Sequence, residues 1–202
     1  MKKYILTITL TGLILLTSCV RSLYPITENE NDLVFKKELL GHWVDKDSAH
    51  YIIDTVNGKN GKNYKVAIID SKKNLESMEF SDTSYFIVTI ANVKGSLFLD
   101  CYPEMERFAN KNLGESAAQS VLPTHFIMRI ISVKQNSIEL ASIDKDKVLL
   151  LLNHKKLTIR NELIDKDNLL FTEKPLKLQQ KLIEMEKFPS VFSHETLTRL
   201  KN

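Results

Sequence analysis

The chain is poor in the residues that turn, break or cross-link a fold. Its 202 residues include two cysteines, six glycines, five prolines and one tryptophan. So few glycines exclude a collagen-like repeat, which needs glycine at about every third position. Because 43% of the residues are hydrophobic and no internal repeat is present, the composition also excludes disorder and a coiled coil.

An excess of charge of one sign is also missing. The chain has 28 Lys and Arg against 25 Asp and Glu, and removal of the N-terminal leader described next leaves 26 against 25. This balance argues against a nucleic-acid partner, which a basic surface would attract. The mature chain is long enough for one domain that buries roughly 70% of its unfolded surface.

Residues 1–18 have the composition of a cleavable leader. Lys2 and Lys3 are followed by an uncharged apolar stretch of 13 residues, Tyr4 to Leu16. As a helix this stretch would span only about 20 Å, against roughly 30 Å of bilayer hydrocarbon. We therefore predict a signal peptide and not a membrane span.

The end of the leader, Leu16-Thr17-Ser18-Cys19, resembles the bacterial lipobox. The resemblance implies cleavage before a diacylated cysteine, so that Cys19 becomes the lipidated first residue. An ordinary secretory leader cleaved nearby is the alternative. Val20 and Arg21 follow, in place of the Asp that often retains such lipoproteins at the inner membrane, so the resemblance implies the outer membrane, facing the periplasm.

Cys101 would then have no disulfide partner in an oxidising compartment. Alternation in its strand places the side chain on the same face as Leu97 and Leu99. This position favours a buried, inert thiol over a reactive one.

Four segments are predicted: the signal peptide (1–18), a lipid anchor and tether (19–34) with partial docking through Leu23, Tyr24 and Ile26, a β-rich domain (35–172) and a C-terminal helical segment (173–202). Val, Ile, Tyr, Phe and Thr recur in short runs bounded by turn residues. These runs predict strands at 43–46, 49–56, 64–70, 83–93, 97–102, 124–133, 138–143, 157–162 and 168–172, with hairpins at Asn57-Gly58 and Lys94-Gly95.

Other segments lack the β pattern. Residues 103–121 are predicted to form a long loop and a candidate lid. The apolar run from Asp146 to His154 fits a helix or a buried strand, and a helix with Asp146 as N-cap is favoured. An amphipathic helix is predicted from Pro175 to Phe188, followed by a short helix from Glu195 to Leu200.

Sequence motifs for chemistry are incomplete. His194-Glu195 begins like the zinc motif H-E-x-x-H, but Thr198 stands at the second histidine, so Glu195 is interpreted as an anion in a helix first turn. The three Asp-x-Asp pairs lack the spacing of a calcium loop and are interpreted as turn or cap residues. We expect no metal, no cofactor and no enzymatic activity.

One short motif bears on the fold. Gly41-His42-Trp43 is similar to the Gly-x-Trp signature that opens the first strand of lipocalin-type barrels. The resemblance implies that Gly41 allows a tight start to the strand, that Trp43 plugs the closed end, and that Arg129 or Arg160 packs over the indole. Leu23-Tyr24-Pro25 followed by Gly-x-Trp also resembles uncharacterised bacterial lipoproteins.

These observations predict a mainly β (α+β) fold: an antiparallel, strongly curved or barrel-like, lipocalin-like sheet with C-terminal amphipathic helices packed on it. The expected function is non-enzymatic binding of a small apolar ligand, with Trp43, Tyr85 and Arg129 as candidate binding residues. Docking of an envelope protein, through a patch at Leu176, Ile183, Phe188 and Phe192, is the alternative. An envelope hydrolase without a recognisable motif is a third.

Overall fold

A computed structural model describes residues 20–56, 61–69, 83–105, 123–164 and 168–200. These ranges contain eleven strands and two α-helices. In chain order they are β1 (Val20–Ser22), β2 (Gly41–Val44), β3 (His50–Thr55), β4 (Tyr64–Ile69), β5 (Thr83–Val93), β6 (Ser96–Pro103), β7 (His125–Val133), β8 (Ser137–Ile143), α1 (Lys145–Asn153), β9 (Asn161–Leu163), β10 (Leu169–Phe171), α2 (Pro175–Met185) and β11 (Phe192–Arg199).

Eight of the strands form a closed antiparallel barrel. Strands β2 to β8 pair consecutively, and β11 then pairs with β8 on one side and with β2 on the other. The closing contacts place Thr198 opposite Val44 and Arg199 opposite Trp43. The prediction of a mainly β, barrel-like antiparallel sheet is confirmed.

The barrel hairpins follow the predicted turn chemistry where they are described. Lys94 and Gly95 link β5 to β6, and both have positive φ, 53° and 92°. Two consecutive residues of positive φ match the right-handed twist of the paired strands. The Asn57-Gly58 turn and most of the predicted 103–121 loop lie outside the described residues.

The stretch predicted as a tether is packed into the fold. Strand β1 pairs in parallel with β10 and antiparallel with the start of β7. Val20 and Ser22 are buried, and so is Ile26, whose backbone N–H donates to the Asp100 carboxylate at 2.6 Å. Residues 20–26 are therefore part of the domain and not a free linker.

Two apolar cores lie on opposite faces of the barrel wall. On β5, Phe86, Val88 and Ile90 face the barrel interior, while Ala91 and Val93 belong to the outer core. Strand β7 likewise sends Phe126 and Met128 inward and Ile127 outward. Strands with apolar residues on both faces separate two packed layers, as these two do.

The helices cover the outer core. In α2, Leu178, Leu182 and Met185 are fully buried at the spacing of one helical face. The run from 146 to 154 is a helix, as favoured, but its N-cap is Asp144 and not Asp146: the Asp144 carboxylate accepts from Lys147 N–H at 3.0 Å. Asp144 immediately precedes the first helical residue, Lys145, and a carboxylate at that position reaches the free N–H groups of the first turn.

The predicted final helix from Glu195 to Leu200 is wrong. Residues 195–199 belong to β11, the last strand of the barrel, so the described part of the C-terminal segment contains one α-helix, a short 3-10 helix (Pro189–Val191) and one strand. The β-branched Thr196 and Thr198 flank the buried Leu197, and two neighbouring strands offer pairing on both sides. Long-range pairing outweighs a weak local preference for helix in so short a segment.

Candidate functional site

One end of the barrel is plugged by Trp43. The indole is fully buried, and its N–H donates to the Leu39 carbonyl at 2.8 Å. The guanidinium of Arg199 lies over the indole, with its central carbon 3.9 Å from the ring centroid. A cation stacked on tryptophan is attracted by the negative face of the ring.

Arg199 also ties the surrounding turns together. Its side chain donates to the carbonyls of Glu38 at 2.7 Å, Leu40 at 2.9 Å and Gln135 at 2.7 Å. Gly41 makes this arrangement possible: its φ is +127°, and a Cβ there would lie 2.5 Å from the Arg199 guanidinium. We call Gly41, Trp43 and Arg199 the plugged end.

The arginine over the indole was expected to be Arg129 or Arg160, and this prediction is wrong. Arg129 lies on the outer face of β7, where its side chain pairs with Glu186 at 2.7 Å. Arg160 precedes β9, and its backbone N–H donates to the Glu173 carboxylate. Neither lies in the barrel interior, whereas Arg199 reaches it because β11 pairs directly with β2.

The barrel interior contains a cavity of about 100 Å³ that is partly open to solvent. Its wall is almost entirely apolar and is contributed by β3 to β8 and β11, together with Leu39. The lining residues are Leu39, Tyr51, Ile53, Tyr64, Val66, Ile68, Phe86, Val88, Leu99, Cys101, Phe126, Met128, Ile138, Leu140, Glu195 and Leu197.

Glu195 is the one carboxyl or imidazole group in the described part of this wall. Its Oε2 atom is buried and has no hydrogen-bond partner among the described residues. Burial, followed by the charge of Asp45, raises the Glu195 pKa from 4.5 to about 7; Lys46 lowers it and Asp47 raises it further. We call Asp45, Asp47 and Glu195 the acidic corner.

Asp45 organises the turn that brings the acidic corner together. Its Oδ1 accepts from the N–H groups of Asp47 at 2.8 Å and Ala49 at 2.9 Å, and its Oδ2 accepts from the Tyr51 hydroxyl at 3.2 Å. Asp45 and Asp144 thus act as a turn and a cap residue, as predicted for the Asp-x-Asp pairs. The third pair lies outside the described residues.

The other polar groups of the wall are held neutral. Burial raises the pKa of the Tyr51 phenol, and the charge of Asp45 adds to this effect. Burial raises the pKa of Tyr64 as well. Burial also raises the pKa of the Cys101 thiol well above its usual range, which agrees with an inert cysteine.

The three candidate binding residues are not brought together. Trp43 is buried at the plugged end and is not part of the cavity wall. Tyr85 and Arg129 lie on the outer faces of β5 and β7, since the inward positions there are Phe86 and Phe126. None of the three candidate binding residues lines the barrel cavity.

Glu195 is the functional candidate that the sequence interpretation missed. Assignment of residues 195–200 to a helix placed its carboxylate at a helix end in solvent. The available signal was the alternation of Glu195, Leu197 and Arg199 with Thr196 and Thr198, which has the period of a strand.

Two polar pairs lie outside the cavity. The His125 ring nitrogen lies 2.6 Å from the Asp100 carboxylate on the outer face of β6 and β7, where Asp100 also holds Ile26. His42 and His50 contact each other at 2.9 Å across β2 and β3. In the described ranges, no three His, Cys, Asp or Glu side chains converge to hold a metal ion.

The fold and site define an eight-stranded antiparallel barrel with one plugged end and an apolar cavity that contains a single carboxyl group. Within the described parts of the chain, neither helix has the length and apolar character that crossing a membrane requires. A scan against protein-family models and searches of curated proteins and of solved structures found no match to this chain.

Proposed function

We propose that the protein is a lipocalin-like, non-enzymatic binding module for a small apolar ligand. The observation that carries this proposal is the barrel cavity, whose wall is apolar except for two tyrosine hydroxyls, one thiol and one carboxyl group. Burial of a ligand's apolar surface in such a cavity stabilises the complex by roughly 25 cal/mol per Å² before the costs of association.

The plugged end supports the lipocalin-like part of the proposal. A glycine at the start of the first barrel strand, a buried tryptophan two residues later and an arginine over the indole are the features that the Gly-x-Trp resemblance implies. The arginine comes from the last barrel strand, β11. The helices and the β1–β10–β9 sheet packed outside the barrel are additions to this plan.

The cavity volume restricts the ligand. Pockets for drug-sized molecules measure about 300–1,000 Å³, whereas an apolar cavity of about 150 Å³ is enough for benzene. At about 100 Å³ the barrel cavity is smaller than either, so we expect a ligand no larger than a single ring or a short alkyl chain.

Native mass spectrometry tests the proposal. The chain from Val20 onward contains every described strand and helix, so we expect it to fold without the leader. Purified natively and then denatured, it should release a small apolar molecule or, if purified empty, bind added single-ring compounds. The variant Leu140→Trp, which fills the cavity, should bind none; equal binding by this variant would contradict the proposal.

We also propose that Cys19 carries a lipid anchor and that the protein faces the periplasm at the outer membrane. Because Val20 is buried in β1, no free linker separates Cys19 from the domain. An anchor at this position would hold the barrel directly against the bilayer. Fatty-acid labelling of the full chain in a bacterium with two membranes, compared with Cys19→Ser, tests the attachment.

An exposed apolar hairpin lies beside this N-terminus. Val20 is opposite Leu169, which is opposite Leu163, so Leu163 lies two strand spacings, about 10 Å, from the start of β1. Leu163 and Ile164 are 55% and 59% exposed. We propose that both side chains enter the bilayer interface, and Leu163→Ser with Ile164→Ser should weaken retention on lipid vesicles without changing stability.

The alternative functions gain less support. Of the patch expected for docking an envelope protein, Leu176 is exposed, but Ile183 and Phe188 pack against the outer core and Phe192 is buried. A hydrolase could pair Glu195 with Asp45, but the Asp45 carboxylate already accepts from Asp47, Ala49 and Tyr51 and does not line the cavity.

A further inference from the structure

Glu195 is an unusual group to find in an apolar cavity. Its neighbours in the wall include Leu140 and Leu197, and its buried Oε2 has no partner among the described residues. A buried carboxylate without a partner is costly, because it has lost water without gaining a hydrogen bond or a counter-charge. A hydrocarbon ligand in the cavity would increase this cost by removing more water.

The charges around Glu195 determine which kind of ligand would offset the free-energy cost of burying its carboxylate. Asp45 and Asp47 are negative, Lys46 is positive, and the Tyr51 phenol is neutral, so the group as a whole with Glu195 is negative. A positive charge on the ligand is attracted to all three carboxylates. A carboxylate on the ligand meets repulsion from the same groups, which disfavours fatty acids.

We infer that the barrel cavity binds a small apolar amine, with the ligand's ammonium group at Glu195 and its hydrocarbon part among the apolar side chains of the wall. This inference rests on the proposed binding function and specifies its ligand class. The ammonium donates to the Glu195 carboxylate, and the ring or alkyl chain lies among the apolar wall residues, which include Leu140 and Phe126.

Proton linkage gives the inference a pH signature. The Glu195 pKa of about 7 means that the carboxyl is mostly ionised at pH 8 and mostly protonated at pH 6. An ammonium ligand requires the ionised form, so its Kd should rise about tenfold between pH 8 and pH 6. A neutral ligand of the same shape has no such requirement.

The experiment is a calorimetric titration of the chain from Val20 onward with benzylamine, benzyl alcohol and benzoate at pH 8 and pH 6. These probes share one ring and differ in the charge of the head group. At pH 8 we expect benzylamine to bind at least tenfold more tightly than benzyl alcohol, and benzoate not to bind. Benzylamine alone should show the pH dependence.

Glu195→Gln should remove both the preference for benzylamine and its pH dependence while leaving binding of benzyl alcohol. The matched control is Glu139→Gln on the outer face of β8, where Glu139 pairs with exposed Lys134, and it should behave as the original protein does.

The outcomes separate the two proposals. If benzyl alcohol binds as tightly as benzylamine, and Leu140→Trp abolishes binding of both, the cavity is a ligand site but the amine inference is overturned. If the benzylamine preference survives Glu195→Gln, the inference is overturned as well. If none of the three probes binds, the binding-module proposal and the amine inference both fail.

Discussion

The plugged end and the acidic corner are built from the same two strands, but they differ in whether their polar side chains have hydrogen-bond partners. Strand β2 supplies Gly41 and Trp43 to the plugged end and leads into Asp45 of the acidic corner, while β11 supplies Arg199 and Glu195. Every Arg199 nitrogen donates to a backbone carbonyl, whereas Glu195 has a buried oxygen without a partner. Satisfied polar groups stabilise a fold, whereas an unsatisfied one beside a cavity is a candidate contact for a ligand.

The largest effect is expected from a substitution that disrupts the plugged end. Trp43→Ala should lower the free energy of unfolding by about 3–5 kcal/mol, because it removes a fully buried indole and leaves Arg199 without its ring. Urea unfolding followed by circular dichroism measures this, since Trp43 is the single tryptophan and its fluorescence is lost. A loss below about 1 kcal/mol would show that the plug is not structural.

A smaller change tests the close approach at Gly41. Gly41→Ala should cost about 1–3 kcal/mol, since the new methyl group meets Arg199 and the backbone keeps a positive φ. Gly95→Ala is the matched control, because Gly95 also has a positive φ but no atom within 4 Å of its added Cβ. The difference between the stability losses of the two variants measures the cost of displacing Arg199. Equal losses would show that the positive φ alone accounts for the loss at Gly41.

At the acidic corner, Glu195→Gln should increase the stability of the protein, whereas the two substitutions above decrease it. Because its pKa rises from 4.5 to about 7 on folding, the folded state retains a proton that the unfolded chain loses. This contribution to stability is complete below pH 4.5 and is lost as the pH rises through 7. At pH 8 the variant should therefore be more stable than the original by about 1 kcal/mol, a value reduced for partial exposure.

Thermal unfolding at pH 4.5 and pH 8 measures this difference. The variant and the original protein should have similar stability at the acidic pH and differ at the alkaline one. A constant difference at both values would mean that Glu195 does not titrate between them.

The smallest expected effect separates the causes of the Glu195 shift. Asp45→Asn keeps an oxygen to accept from Asp47 and Ala49 but removes a negative charge, so the Glu195 pKa should fall by less than one unit. A carbon-13 NMR titration of Glu195 measures the shift. Return of the pKa to 4.5 would mean that the charge of Asp45, and not burial, is the main cause.

Sequence alone was sufficient wherever a local pattern had one interpretation. The alternation on β5 and β7, the turn at Lys94-Gly95 and the apolar face at Leu178 and Leu182 each correspond to an element of the structure. The Gly41-Trp43 motif also pointed to a barrel. Each of these elements depends on residues within one turn or one strand, so its pattern can be recognised in the sequence alone.

The helix predicted from the local pattern of residues 195–199 is wrong because the conformation of these residues depends on distant strands. Five residues with one glutamate and two threonines fit the start of a helix or a strand. The pairings of β11 with β8 and β2 lie more than 50 residues away in the chain, and they decide the outcome. Both Arg199 over the indole and Glu195 in the cavity follow from that single assignment.

The sequence by itself determined the near-neutral charge, the β-rich composition and the positions of most strands. Only the tertiary structure decided that the barrel closes, that residues 20–26 pack against its outer face, and that Glu195 faces its interior. Closure brings the two ends of the domain together, and side chains far apart in the chain then share one low-dielectric space. Burial in that space changes the chemistry of a carboxyl group, which no local pattern of residues records.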